Sequence, residues 1–242
     1  MGFTPIKTPK VAKKLFPNYV WDIATKDKTI YLTFDDGPTP EITNWTLSTL
    51  KAYNAKATFF CIGNNIEKHP DIFQNILKEG HTIGNHTYNH VKGWKTNSKV
   101  YLQDVDETRK LIHLQLSNSK FQNANSKAQI SPNHIQTIDL FRPPYGQIKP
   151  KQGQRLIQAG YEVIMWDVLS FDWDKTTPKE TCLNHVISKT TKGSIIVFHD
   201  SVKASKNMQY ALPKVLKHFS ELGYCFESIT SNLFKKSADQ IA

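Results

Sequence analysis

Thr29-Ile-Tyr-Leu-Thr-Phe-Asp-Asp-Gly-Pro38 is the stretch from which the fold is read. Residues 29–34 form an apolar run with the pattern of a buried strand, and Gly37-Pro38 stops it. Working outward, further strand-like segments fall at 56–62, 81–84, 138–142, 161–169, 194–199 and 224–229. Helix-like segments at 40–53, 66–79, 98–116, 150–159, 178–190 and 206–222 lie between them. Pro70 and Asp71 belong to a first helical turn, and Gly80, Gly160 and Gly223 each close a helix just before a strand. Such alternation with short connections predicts a parallel sheet wrapped by helices. About seven strands predict an α/β chain folded as a distorted (β/α) barrel lacking one unit, although a doubly wound open sheet yields a similar string.

The basic, proline-containing residues 1–28 are expected to pack on the outside of this domain, which spans 29–230, with a tail at 231–242. Residues 117–137 are rich in Asn, Gln and Ser and break the rhythm. They read as a polar insertion, either a tolerated surface loop or a binding loop leading into the strand that carries Arg142.

A hydrophobic share of 39%, with 13 Phe, 9 Tyr and 5 Trp, supports a substantial core in 242 residues. The net charge of +10 favours anionic partners. The lysines are scattered, arginines are few and no nucleic-acid-binding motif is present, which argues against nucleic acid. An anionic glycan such as a cell-wall polymer suits the charge, as does a solvated basic surface with no partner. Cys61, Cys182 and Cys225 are too few and too dispersed for a disulfide framework or a thiolate metal site. Cys61 and Cys225 lie in apolar runs and read as buried thiols. No apolar stretch reaches the roughly 18 residues of a membrane span. Residues 1–28 lack the apolar core of a secretory signal. The chain as written therefore reads as cytoplasmic, or as extracytoplasmic if a leader has been trimmed away.

Polar clusters stand where five strands end, the side on which parallel α/β folds gather functional groups. They are Asp35-Asp36, His86-Thr-Tyr-Asn-His90, Phe141-Arg-Pro-Pro-Tyr-Gly146, Asp172-Trp173 and His199-Asp200. His86 and His90, four residues apart, are expected on one side of a helical turn. Two imidazoles and one carboxylate are a recurrent set for a catalytic zinc with an open position, leaving the other Asp free as a base. Each residue also has an ordinary reading: Asp35 and Asp36 as turn formers, Arg142 as partner of a structural carboxylate, Pro143-Pro144 as a loop stiffener, His199 as a core histidine. Trp166, Phe171 and Trp173 suit either a sugar-stacking wall or the core.

Thr-Phe-Asp-Asp-Gly-Pro, His-Thr-x-x-His, Arg-Pro-Pro-Tyr-Gly and a late Phe-His-Asp, in this order over residues 29 to about 229, resemble the polysaccharide deacetylase (NodB-homology) family, carbohydrate esterase family four. The resemblance implies a NodB-type barrel and a divalent metal, usually zinc, with Co2+, Ni2+ or Mn2+ as alternatives. It implies hydrolysis of N-acetyl, sometimes O-acetyl, groups on peptidoglycan or chitin-type oligomers. Position by position, Asp36, His86 and His90 correspond to metal ligands and Asp35 to the general base. Arg142 corresponds to the arginine holding that base, the Tyr145 N–H to an oxyanion donor and His199 to the general acid. Two other readings stand beside this one: a non-catalytic carbohydrate-binding relative, and a deacylase of a small N-acyl compound.

The family usually has Asp-x-x-Asp-Trp where this chain has Leu169-Ser-Phe-Asp-Trp173, the first Asp supporting the catalytic histidine. Leu169 is therefore expected to leave His199 without its carboxylate, with Asp167 as a partial substitute. On that view Leu169→Asp should raise the alkaline limb of the pH–rate profile.

Overall fold

A computed structural model describes residues 5–123, 139–230 and 232–235. Its strands are β1 (Thr29–Asp35), β2 (Ala57–Cys61), β3 (Thr82–Asn85), β4 (Asp139–Phe141), β5 (Tyr161–Val163), β6 (Val168–Leu169), β7 (Ile195–His199) and β8 (Cys225–Phe226). Around them run α1 (Lys10–Leu15), α2 (Ile42–Ala52), α3 (Gly63–Lys68), α4 (Pro70–Lys78), α5 (Ser98–Asn123), α6 (Pro150–Gln158), α7 (Lys179–Lys189), α8 (Ser205–Glu221) and α9 (Asn232–Lys235). Seven strands lie in the order β5-β4-β3-β2-β1-β7-β6, all parallel, while β8 pairs with the start of β1. This is the distorted barrel that the alternating pattern predicts.

Strand β1, flanked by β2 and β7, is buried from Ile30 to Asp35, which is why its sequence is mostly apolar. Its alternate residues serve two compartments. Ile30, Leu32 and Phe34 join Phe59, Ile196, Phe198 and residues of α8 in the layer between sheet and helices. Tyr31 joins Phe60, Ile164 and Ile195 on the opposite, inner side. Thr33 and Asp35 share that inner direction, so the strand delivers a carboxylate into the barrel mouth. Register places His199 of β7 directly beside Asp35, and Asn85 of β3 beside Phe141 of β4.

The barrel has a seam between β5 and β6, which are close in sequence but do not pair with each other. The N-terminal segment runs along it. Val20 N–H donates to the Val163 carbonyl at 2.9 Å, and Leu169 N–H donates to the Ile6 carbonyl at 2.8 Å. Asp167 anchors the same segment: Lys7 and Lys13 donate to it at 2.8 and 2.7 Å, and Ser194 Oγ at 2.6 Å.

Several expected boundaries move, each for a local reason. The helix expected over 66–79 is two helices, because Pro70 biases His69 out of the helical region (φ −132°, ψ 56°). The strand expected over 161–169 is broken: Ile164 bridges Val20 instead of continuing the sheet. Helix α5 continues to Asn123, past the expected end at 116, and the remainder of the polar segment, 124–137, lies outside the described residues. Cys225, expected to be buried, is exposed at the edge strand β8, whereas Cys61 and Cys182 are buried. Among the described residues, no helix is long and apolar enough to cross a membrane.

Asp167→Asn should loosen the seam by about 1–3 kcal/mol, the range for losing charged hydrogen bonds. Expected outcomes are a melting temperature lowered by roughly 2–10 °C and faster proteolysis within residues 1–28. Burial raises the Asp167 pKa, but the lysine and Ser194 bonds overcome it and the net value is lowered. Its contribution is therefore present above the unfolded value of 3.8 and fades as pH falls through the folded one. Unchanged melting and proteolysis would show that the seam does not depend on this carboxylate.

Candidate active site

Asp35 ends β1 inside the barrel mouth, where Arg142 meets it. Arg142 is fully buried; its Nη1 donates to Asp35 Oδ1 and to Thr33 Oγ1, both at 2.7 Å. Its other nitrogens donate to the Ile164 and Met165 carbonyls at 3.2 and 2.8 Å, and its plane lies 4.1 Å over the Phe60 ring. Burial pulls the guanidinium pKa below its usual value, opposed by Asp35. This fixes the carboxylate in one orientation and leaves no guanidinium nitrogen unpartnered.

Asp36 follows with φ of 80°, a left-handed conformation that Asp tolerates better than most residues. The turn turns its side chain toward the two histidines. Asp36 Oδ1 stands 3.2 Å from His90 Nε2 and 3.8 Å from His86 Nε2, and it is buried without a hydrogen-bond partner. Burial favours the neutral acid, but the His90 contact and then the positive field of His199 hold this carboxyl well below the usual range. His86 Nδ1 donates to the Arg142 carbonyl at 2.8 Å, which leaves Nε2 with its lone pair facing Asp36. Burial pushes the His86 pKa down to about 4, so the ring is neutral at pH 7. Among the described residues, Asp36, His86 and His90 are the group whose ligand atoms converge, all within 4.8 Å of one another.

The helical turn expected between His86 and His90 is absent. Residues 86–90 form a loop in which Thr87 and His90 have φ of 64° and 54°. That loop is held from outside by Asp104 of α5, which accepts from Tyr88 N–H and Asn89 N–H at 2.7 and 3.0 Å. Asn85 accepts from Thr87 N–H at 2.9 Å. The two rings come to 5.1 Å between centroids by this route.

His199 does not lack a carboxylate, and the expectation built on Leu169 is overturned. Asp172 Oδ1 accepts from His199 Nδ1 at 2.8 Å, and its Oδ2 accepts from His199 N–H at 2.7 Å. The chain reaches this position because Phe171, at φ 62°, reverses it after β6. Leu169 is a buried β6 residue registered with Val197, and Asp167 is occupied by Lys7, Lys13 and Ser194 at the seam. Burial alone would lower the His199 pKa, but Asp172 and then Asp36 and Asp35 outweigh it and push it up to about 9. The imidazole is 15% exposed.

Around these groups stand the expected aromatics. Tyr145 is 55% exposed, with its ring 4.6 Å from His90, and its N–H makes no hydrogen bond among the described residues. Trp173 lies 4.9 Å from His199 and stacks on Phe171 at 5.0 Å. Trp166 packs with the inner cluster and against Gly146. Asp200 carries a part that the sequence reading left unassigned. It accepts from Gly37 N–H at 3.1 Å and from Thr43 Oγ1 at 2.6 Å, closing the Asp-Asp-Gly-Pro turn. A side chain at Gly37 would lie 2.1 Å from Asp200 Oδ2, so the turn needs glycine there. The adjacency of Asp200 to His199 was the available signal.

A parallel barrel presenting a His-His-Asp cluster, an Arg-held carboxylate and an Asp-held histidine on one rim has the parts of a metal-assisted hydrolase. Comparison with known proteins agrees. The family model for polysaccharide deacetylase matches residues 22–164. A peptidoglycan-N-acetylglucosamine deacetylase of Bacillus cereus is 33% identical over 224 residues, covering 91% of this chain and 96% of the relative. Chitin deacetylase 2 of Saccharomyces cerevisiae is 34% identical over 190 residues, covering 76% of this chain and 54% of the relative. The crystal structure of the Bc1960 peptidoglycan N-acetylglucosamine deacetylase superposes with a TM-score of 0.75 at 29% identity, covering 94% of this chain and 95% of that one. The chain belongs to the polysaccharide deacetylase family, carbohydrate esterase family four, and is a hydrolase of that family.

Asp172→Asn should remove the charge that sustains the imidazolium and move the alkaline limb of the pH–rate profile below its wild-type position. Leu169→Asp should instead bury an unpaired carboxylate, lowering stability by several kcal/mol, on the order of 3, without raising that limb. Rate profiles and thermal melts of the two variants distinguish this from a role for position 169 in catalysis.

Proposed function

We propose that this protein removes N-acetyl groups from an amino-sugar glycan of the peptidoglycan type, using a divalent metal, zinc foremost, held by Asp36, His86 and His90. The observation that carries this reading is the buried Asp36 Oδ1 with no hydrogen-bond partner, facing two imidazole nitrogens at 3.2 and 3.8 Å. Ligand atoms around a tetrahedral zinc stand about 3.3 Å apart, so the donor set fits the ion. A divalent ion bound there supplies the charge that acidifies water and polarises the acetyl carbonyl.

The remaining work belongs to the chain's own side chains. Asp35, oriented by Arg142, accepts the proton of the attacking water. The Tyr145 N–H donates to the oxygen of the acetyl carbonyl as charge develops on it. His199, protonated at neutral pH through Asp172, gives a proton from Nε2 to the departing nitrogen as the C–N bond breaks. Acetate and the free amine leave. Trp173, Phe171 and Tyr145 offer ring faces and edges on which sugar rings rest. Peptidoglycan is favoured over chitin by the similarity to the B. cereus enzyme across almost the full length of both chains, and by the net charge of +10.

Chelation should abolish acetate release from solubilised peptidoglycan, and zinc should restore it. Asp36→Ala should lose bound metal by elemental analysis. Asp35→Asn should keep the metal yet lose about 10²–10⁴ in rate, the usual contribution of a general base. Full activity in the chelated protein, or metal binding that survives Asp36→Ala together with His86→Ala, contradicts the assignment.

A further inference from the structure

Two grooves open beside the reacting groups. One, of about 390 Å³, passes Asp36 and His90, and the other, of about 620 Å³, has Asp172 in its wall. Val202 and Lys203 line both and so form the ridge between them; Val202 is 75% exposed. Both volumes fall within the roughly 300–1,000 Å³ of ligand clefts.

The larger groove is basic, with lysines outnumbering its two acids, Asp172 and Glu180. Four of its eleven lining residues are lysines (Lys175, Lys179, Lys203 and Lys206), all exposed, against 31 lysines and arginines in 242 residues overall. Among the described residues, Lys175, Lys203 and Lys206 form no ion pair, and Lys179 has only Glu180, at 3.8 Å. Of the nearby acids, Asp172 holds His199, Glu180 faces Lys179, and Asp174 accepts from Thr176 and Thr177 while also lying in the field of Lys203. Asn207 Nδ2 donates to the Thr177 carbonyl at 3.0 Å and so ties the two walls together. Helices α7 and α8 both begin at this groove, which adds the partial positive charge of their N-termini. Like charges around a concave surface repel one another and focus a field that draws in anions.

A glycan with its acetamido group at Asp36 and His90 reaches this groove by crossing the Val202–Lys203 ridge. A neutral chain would leave Lys175, Lys203 and Lys206 without an ion-pair partner. We infer that the lysine groove is a subsite for an anionic substituent, a carboxylate or a phosphate, carried by the glycan beyond the sugar that is deacetylated. The inference rests on the deacetylase reading above and defines its substrate more closely.

The test compares the full-length zinc-loaded protein with a Lys175→Gln/Lys206→Gln variant and with Lys206→Glu. Three probes are used: neutral N-acetylated chitotetraose, soluble peptidoglycan fragments bearing only peptide carboxylates, and fragments that retain phosphate-rich wall polymer. Binding and acetate release are both measured as sodium chloride is raised. The expected result is an affinity for one or both anionic probes that falls about fivefold or more in the double variant, and further in Lys206→Glu, with a flatter salt dependence. The loss should appear in KM rather than kcat, and values for chitotetraose should stay unchanged. The carboxylate and phosphate arms tell which group the groove takes. Equal losses on neutral and anionic probes, or none on any, overturn the inference. If wild-type protein released no acetate from any probe, the deacetylase reading would fall, while the binding comparison would still judge the groove.

Discussion

The pairing of Arg142 with Asp35 is the interaction on which the rest of the site depends. A guanidinium enclosed in a barrel is tolerable only if its donors are met, and here a carboxylate, a hydroxyl and two carbonyls meet them. Those acceptors come from β1 and from the segment after β5, so one side chain ties both to the end of β4. Breaking such a pair by removing one partner costs about 3–5 kcal/mol. The residue read as the catalytic base is thus also the counterion of a structural cation. The Arg142 carbonyl meanwhile fixes the His86 tautomer. The orientations of Asp35 and His86 are thus set by one residue, through its side chain and its backbone.

The rim carries much of the backbone strain in the molecule. Asp36, Thr87, His90, Tyr145 and Phe171 all have positive φ without being glycine, each at a cost of order 1 kcal/mol. Such conformations persist only when their surroundings determine them. Asp200 closes the first turn, Asp104 and Asn85 wrap the histidine loop, and the bonds from Asp172 to His199 hold the chain just after Phe171. Rigid supports of this kind place functional groups with less freedom than a plain loop allows. Asp200 illustrates the price: burial pushes its pKa up to about 8, an effect that Thr43 opposes and Asp36 reinforces.

What could be read from the sequence was whatever local pattern carries. The uncharged run at 29–34 has to be a buried strand, and the Asp-Asp-Gly-Pro turn has to end it. Alternating strands and helices have to give a parallel sheet, and the ends of those strands have to collect the polar clusters. Asp35, Asp36, His86, His90, Arg142 and His199 were therefore nameable in advance, and the structure brings all six to one rim.

Contacts made across loops were not legible, because spacing along a chain does not fix distance once the backbone leaves regular structure. The family's Asp-x-x-Asp-Trp pattern, laid on this sequence, pointed to Leu169 as the place of the histidine's partner. Only the left-handed turn at Phe171 shows that Asp172 fills it. The same reason explains the histidine pair, which meets through a loop braced by a distant helix rather than through helical periodicity. Sequence alone determined which chemistry the chain carries and on which strands. Tertiary structure decided which carboxylate serves which partner, since hydrogen bonding acts over about 3 Å and only the folded backbone sets positions to that accuracy.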